Sequence, residues 1–160
     1  MDNLQIENGV SRVVSHSAEQ TRELGEQLGS VLKLGDLITL EGGLGAGKTT
    51  LVQGLGRALR LETPIVSPTF VLIIEHDGAL PLLHLDAYRL ENMCYDAIRD
   101  AGVMEFLERD DAIKIVEWPS RIADWLPVPR FALQWENGTD SSTRIIEIKA
   151  GTRFNAPIAT

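Results

Sequence analysis

Residues 42–49 read Gly-Gly-Leu-Gly-Ala-Gly-Lys-Thr and satisfy the pattern G-x-x-x-x-G-K-[ST]. The run is flanked by a short aliphatic stretch, Leu37 to Leu40, and by a helical stripe of Leu51, Val52, Leu55 and Leu59, with Pro64 as the latest end. That order, strand then glycine-rich loop then helix, commits the chain to an α/β fold built around a phosphate cradle. Glycines at 42, 43, 45 and 47 remove side chains and permit positive φ, so that backbone N–H groups can converge on a highly charged polyphosphate. The helix that follows adds its N-terminal dipole. Lys48 is expected on the β- and γ-phosphates, the Thr49 hydroxyl on Mg²⁺, and Thr50 on the α-phosphate, with Leu44 and Ala46 completing the loop. The Asn-Lys-x-Asp element that holds guanine is absent, so the expected nucleotide is ATP.

With 160 residues, 44% of them hydrophobic, the chain is expected to form one domain over residues 1–160 with an ordinary buried core. Acidic residues outnumber basic ones by 23 to 15, and a net charge of -8 opposes broad contact with a phosphate backbone. A nucleotide site needs only one or two cations, so the charge constrains macromolecular partners alone. The single cysteine, Cys94, excludes an intrachain disulfide and is expected in the core. The start lacks an export signal and the longest apolar run, Phe70 to Ile74, is too short to span a bilayer, which makes the cytoplasm the expected location.

Ser17 and Gln20 form a capping box for a first helix carrying Leu24, Leu28, Val31 and Leu32, which Gly35 is expected to end. Val71 to Glu75 and Leu80 to Asp86 read as two antiparallel strands joined at Asp77-Gly78. Helical patches over Asn92 to Ala101 and Val103 to Arg109 precede a strand, Ala112 to Glu117, which Pro119 keeps from continuing. Phe131 to Glu136 and Arg144 to Lys149 alternate around Asn137-Gly138 as a second hairpin. The expected architecture is a three-layer α/β P-loop NTPase domain with a mixed parallel/antiparallel sheet.

A phosphate loop of this kind needs a strand-end carboxylate to hold magnesium opposite the threonine. Leu82-Leu83-His84-Leu85-Asp86 fits the usual four-apolar-then-Asp form apart from His84, whereas Ile113-Lys114-Ile115-Val116-Glu117 substitutes glutamate and carries a lysine. Spacing favours Asp86, although either acid could simply cap a neighbouring turn. Ser67-Pro68-Thr69-Phe70 stands where a γ-phosphate sensor is often placed, and Thr69 could donate a hydroxyl there.

The segments GGLGAGKTT, SPTF, HLDAYRL and VEWP, in this order and at these separations, resemble the bacterial TsaE family, the ATPase component of tRNA threonylcarbamoyladenosine synthesis. The resemblance implies that Glu117 rather than Asp86 joins Thr49 on Mg²⁺, and that Lys48 and Asp86 serve in hydrolysis. It also implies that Trp118 lies beside the nucleotide, that Thr69 belongs to a switch-like segment, and that Ser17 to Glu19 and Arg144 border the site. One departure is Gly43, where the family usually has aspartate, as in GDLGAGKT. The implied partner is a TsaD-TsaB pair, so that contact with tRNA is indirect. ATP hydrolysis would support repeated threonylcarbamoyl transfer to an adenosine of tRNAs reading ANN codons. Two other readings fit the loop: a small-molecule kinase using Asp86 and Arg89, and a nucleotide-dependent interaction module with negligible turnover.

Overall fold

The computed structural model describes residues 9–66, 71–137 and 142–151. Seven strands form one sheet: β1 (Val10–Ser15), β2 (Leu37–Glu41), β3 (Ile73–His76), β4 (Leu82–Asp86), β5 (Ile113–Glu117), β6 (Phe131–Asn137) and β7 (Arg144–Ala150). Their spatial order is β1-β7-β6-β2-β5-β4-β3. The inner strands β4, β5, β2 and β6 run parallel, while β3, β7 and β1 are added antiparallel. The sheet is mixed, as the two hairpin patterns indicated.

Alternation along the strands sorts side chains into two cores. Ile38 and Leu40 of β2, Leu82 of β4, and Ile113 and Ile115 of β5 pack under α1 (Ala18–Gly29) and α2 (Lys48–Ala58). Leu83, Leu85 and Val116 face the opposite layer, where α3 (Tyr95–Asp100) and α4 (Val103–Glu108) supply Ile98, Val103 and Phe106. Burial on both faces explains why the central strands read as near-continuous apolar runs. Lys114 tolerates such a strand because its Nζ donates to the carbonyls of Leu107 and Arg109, where α4 ends.

Several local expectations are corrected. Ser17 caps α1 by accepting from the Gln20 N–H, but the Gln20 side chain takes the His16 N–H, and the helix stops at Gly29. Gly35, at φ 86°, serves instead the turn into β2, in which Asp36 accepts the Lys33 N–H. Asp77-Gly78 does not make a two-residue turn: His76 pairs with Leu82, so residues 77–81 form the loop, and Gly78 bridges to Leu61. Cys94 is exposed at the start of α3 rather than packed in the core. The edge strand β1 had no counterpart in the sequence reading. Ser67-Pro68-Thr69-Phe70 and Gly138 lie outside the described residues.

Candidate functional site

The loop between β2 and α2 is shaped by three kinds of glycine. Gly45 and Gly47 adopt φ of 72° and 106°, a region that side-chain-bearing residues rarely enter. Gly42 is required by packing, since a Cβ there would stand 2.8 Å from Cβ of Trp135. Gly43 has neither constraint: it is exposed, and a Cβ would meet none of the described residues within 4 Å. Among the described residues no side chain caps the α2 N-terminus, which leaves its first amides to the loop's concave side.

Lys48 opens α2 with its side chain almost wholly buried. Its Nζ donates to the carbonyls of Gly42 at 2.6 Å and Gly43 at 2.9 Å and lies 4.2 Å from the centroid of the Trp118 ring. An ammonium has three N–H donors, so one remains after the loop carbonyls are served. Burial pushes the ammonium's pKa below its ordinary value, against the pull of Glu117 first and then Glu41 and Asp86.

A cavity of about 400 Å³ opens over the loop, lined by Leu44, Gly45, Ala46, Gly47, Lys48, Thr49 and Thr50 together with Asp86, Tyr88, Arg89, Glu117 and Trp118. Asp86 and Glu117 are direct partners in the parallel β4–β5 register, so both carboxyl groups leave the same face at the same end of the sheet. Their surroundings differ. Asp86 is half-buried and accepts the Tyr88 N–H through Oδ1 at 3.0 Å, capping the 3-10 turn Ala87–Leu90. Glu117 is buried and its Oε1 lies 2.9 Å from Nε2 of the fully buried His84.

Trp118 occupies the left-handed region at φ 57°, ψ 51°, an outlier for a bulky aromatic. Its N–H is donated to Leu40, and its ring lies between the Lys48 ammonium and Tyr88, the two ring centroids being 5.1 Å apart. The Arg121 guanidinium lies 5.7 Å from the centroid of the Tyr88 ring and pairs with Glu91.

Of the residues singled out from the sequence, Leu44 to Thr50, Asp86, Glu117 and Trp118 converge on this cavity, with Gly42 and Gly43 holding the lysine from behind. Arg144 does not line it: the residue opens β7, opposite Ser15 and Asn137, at the loop-bearing end of the sheet. Thr69 lies outside the described residues. His84, Tyr88 and Trp135 were not assigned to the site. His84 stood in the sequence as the one polar break in an aliphatic strand, a signal that it needs a partner.

A rim of backbone amides plus one buried ammonium suits a polyphosphate. A hydroxyl and carboxylates facing it suit a hard divalent cation that keeps most of its water. Among the described residues no group of three or more His, Cys, Asp or Glu forms a denser metal site, and no helix is long and apolar enough to cross a membrane.

A family profile described as threonylcarbamoyl adenosine biosynthesis protein TsaE matches residues 15–146. The tRNA threonylcarbamoyladenosine biosynthesis protein TsaE of Nostoc sp. is 44% identical over 123 residues, covering 76% of this chain and 75% of the relative. The protein of the same name from Bacillus subtilis is 36% identical over 137 residues, covering 85% and 84%. The crystal structure of YdiB from Bacillus subtilis superposes with a TM-score of 0.69 at 29% identity, covering 89% of this chain and 86% of that one. The profile match, the curated relatives and the shared P-loop fold agree, and the chain belongs to the TsaE family of tRNA threonylcarbamoyladenosine biosynthesis.

Proposed function

We propose that this chain binds Mg-ATP on the loop from Gly42 to Thr50 and hydrolyses it. On this reading the turnover supports tRNA N6-threonylcarbamoyladenosine formation through a TsaD-TsaB type complex in the cytoplasm. The observation that carries the reading is the buried Lys48 ammonium, held by two loop carbonyls beside a cavity that also receives Thr49, Asp86 and Glu117. The amides at the start of α2 and the remaining Lys48 donor would grip the phosphates. Thr49 and Glu117 would hold the magnesium, which when bound neutralises charge developing on the transferred phosphoryl group. Asp86, whose Oδ1 already serves the Tyr88 cap, would orient or deprotonate the attacking water with its other oxygen. Trp118 would wall the site.

The net charge of -8 fits a role in which tRNA is met through the partner pair rather than directly. Arg89 on the cavity wall is the feature that keeps the kinase reading in view.

Calorimetric titration with ATP and magnesium tests the core of the reading: the parent binds, and Lys48→Ala binds at least about 100-fold more weakly. Equal binding by the two would end it. Phosphate release without any added acceptor separates hydrolysis from kinase activity. The same assay with and without the partner pair, for parent and Asp86→Ala, separates an enzyme from a binding module, for which all four samples would stay at background.

A further inference from the structure

The geometry points to His84 as the positioning residue for Glu117. The inference deepens the proposal above, since it rests on Glu117 facing a bound divalent cation. Before its terminal Asp86, β4 is aliphatic except at His84, which is fully buried between Ile74 of β3 and Ile115 of β5. An imidazole there forfeits hydration on both nitrogens, so its presence calls for a specific partner. Parallel register supplies one. His84 and Asp86 share a face of β4, Ile115 and Glu117 share the same face of β5, and His84 therefore stands diagonal to Glu117.

A glutamate that serves a cation only accepts hydrogen bonds, so on this reading the 2.9 Å contact between His84 Nε2 and Glu117 Oε1 is donated by Nε2. Nδ1 is buried and has no hydrogen-bond partner among the described residues. Nothing else in the described site competes for the ring, whose one hydrogen bond goes to this oxygen. Glu117 lines the cavity while Oε1 is held from below. Fixing one oxygen in this way sets the carboxylate's rotation and leaves Oε2 as the oxygen to be offered. Without His84, a buried glutamate with three side-chain torsions would lose that orientation, and the Lys48 ammonium, on which Glu117 exerts the strongest carboxylate pull, would compete for it.

The test measures binding of a non-hydrolysable ATP analogue by calorimetry across a magnesium series and again in EDTA. His84→Gln keeps an N–H donor near the Nε2 position, whereas His84→Leu removes it; His84→Asn, one methylene shorter than Gln, carries a donor that falls short of Oε1 and is a second variant without the contact. Leu and Asn variants are expected to need roughly 10- to 100-fold more magnesium for the same affinity, the range typical of lost orienting partners. Affinity in EDTA should stay within about twofold, and Gln should recover most of the loss. In a Glu117→Gln background, removing the donor should change nothing further. A magnesium requirement unchanged in His84→Leu and His84→Asn overturns the inference, as does equal impairment of Gln, Leu and Asn, or a further loss in the Glu117→Gln background. A parent that shows no magnesium-dependent binding at all overturns the functional reading itself, and the inference with it.

Discussion

Replacing Gly25 by alanine tests how the phosphate loop is held in place. Helix α2, whose first residues are Lys48 and Thr49, is seated by α1, and the two helices touch backbone to backbone where they cross. A Cβ on Gly25 would lie 2.1 Å from the Leu51 carbonyl oxygen, and one on Gly54 2.0 Å from that of Arg22. Neither oxygen can rotate away, because each belongs to a helix, so the helices must part by about 1 Å. The interface around the crossing is made of Leu24, Leu28, Leu51 and Leu55, none more than 1% exposed. A gap of 0.5–1 Å forfeits roughly a quarter to a half of each dispersion contact. Overpacking of this kind costs about 3 kcal/mol, while the better helix propensity of alanine returns about 1 kcal/mol. Gly25→Ala should therefore lose about 2 kcal/mol, seen as a fall of about 1 M in the urea midpoint followed by circular dichroism. Since one separation relieves both contacts, Gly25→Ala/Gly54→Ala should lose less than the sum of the single variants. Nucleotide affinity should fall too, because the displaced helix carries the lysine. A Gly25→Ala midpoint at or above the parent's, as propensity alone would give, would refute the argument.

Three further outcomes are expected. Burial and the neighbouring His84 hold the His76 pKa below its ordinary 6.5. The unfolded chain therefore binds a proton that the native state refuses as pH falls below that value, and stability drops. The loss in urea midpoint between about pH 7.5 and about pH 5.5 should be smaller in His76→Gln, and an identical loss would discount the residue. Gly43→Asp, which installs the carboxylate usual in the family, should fold with stability within about 0.5 kcal/mol of the parent, because the site is open and its φ is not left-handed. A phosphate-release assay on that variant then reads whether the carboxylate aids hydrolysis. Cys94 should react stoichiometrically with an aromatic disulfide reagent in the native protein, and protection until denaturant is added would contradict its exposure.

What could be read from the sequence is what is decided locally. The loop, its flanking strand and helix, and both hairpins follow from periodicity and glycine placement within a few residues. Gly25 has no local signal, because the reason for it, contact with a helix that begins more than twenty residues later, is tertiary. Strand β1 escaped for a similar reason: Val10 pairs with Lys149, and an exposed edge strand needs little apolar signature of its own. Cys94 was placed by the habits of its residue type, which say nothing about a residue opening a short surface helix.

The choice between Asp86 and Glu117 shows where linear spacing runs out. Both acids end strands at the same end of the sheet and are register partners, so the four-apolar-then-Asp spacing that favoured Asp86 does not separate them in space. Sheet order does not. The loop grows from β2, β5 is its immediate neighbour, and β4 stands one strand further out. Glu117 is therefore the carboxylate closer to the loop strand, and it is buried, with one oxygen fixed by His84. A buried carboxylate is costly unless a cation or donors compensate, and a fixed one suits a ligand whose geometry must not wander. Asp86 is wetter and gives one oxygen to a turn, which suits a group that must meet water and exchange a proton with it. The division of labour proposed for the pair thus follows from strand order and environment, and exchanging the two side chains, Asp86→Glu with Glu117→Asp, should preserve the charge of the site while abolishing its turnover.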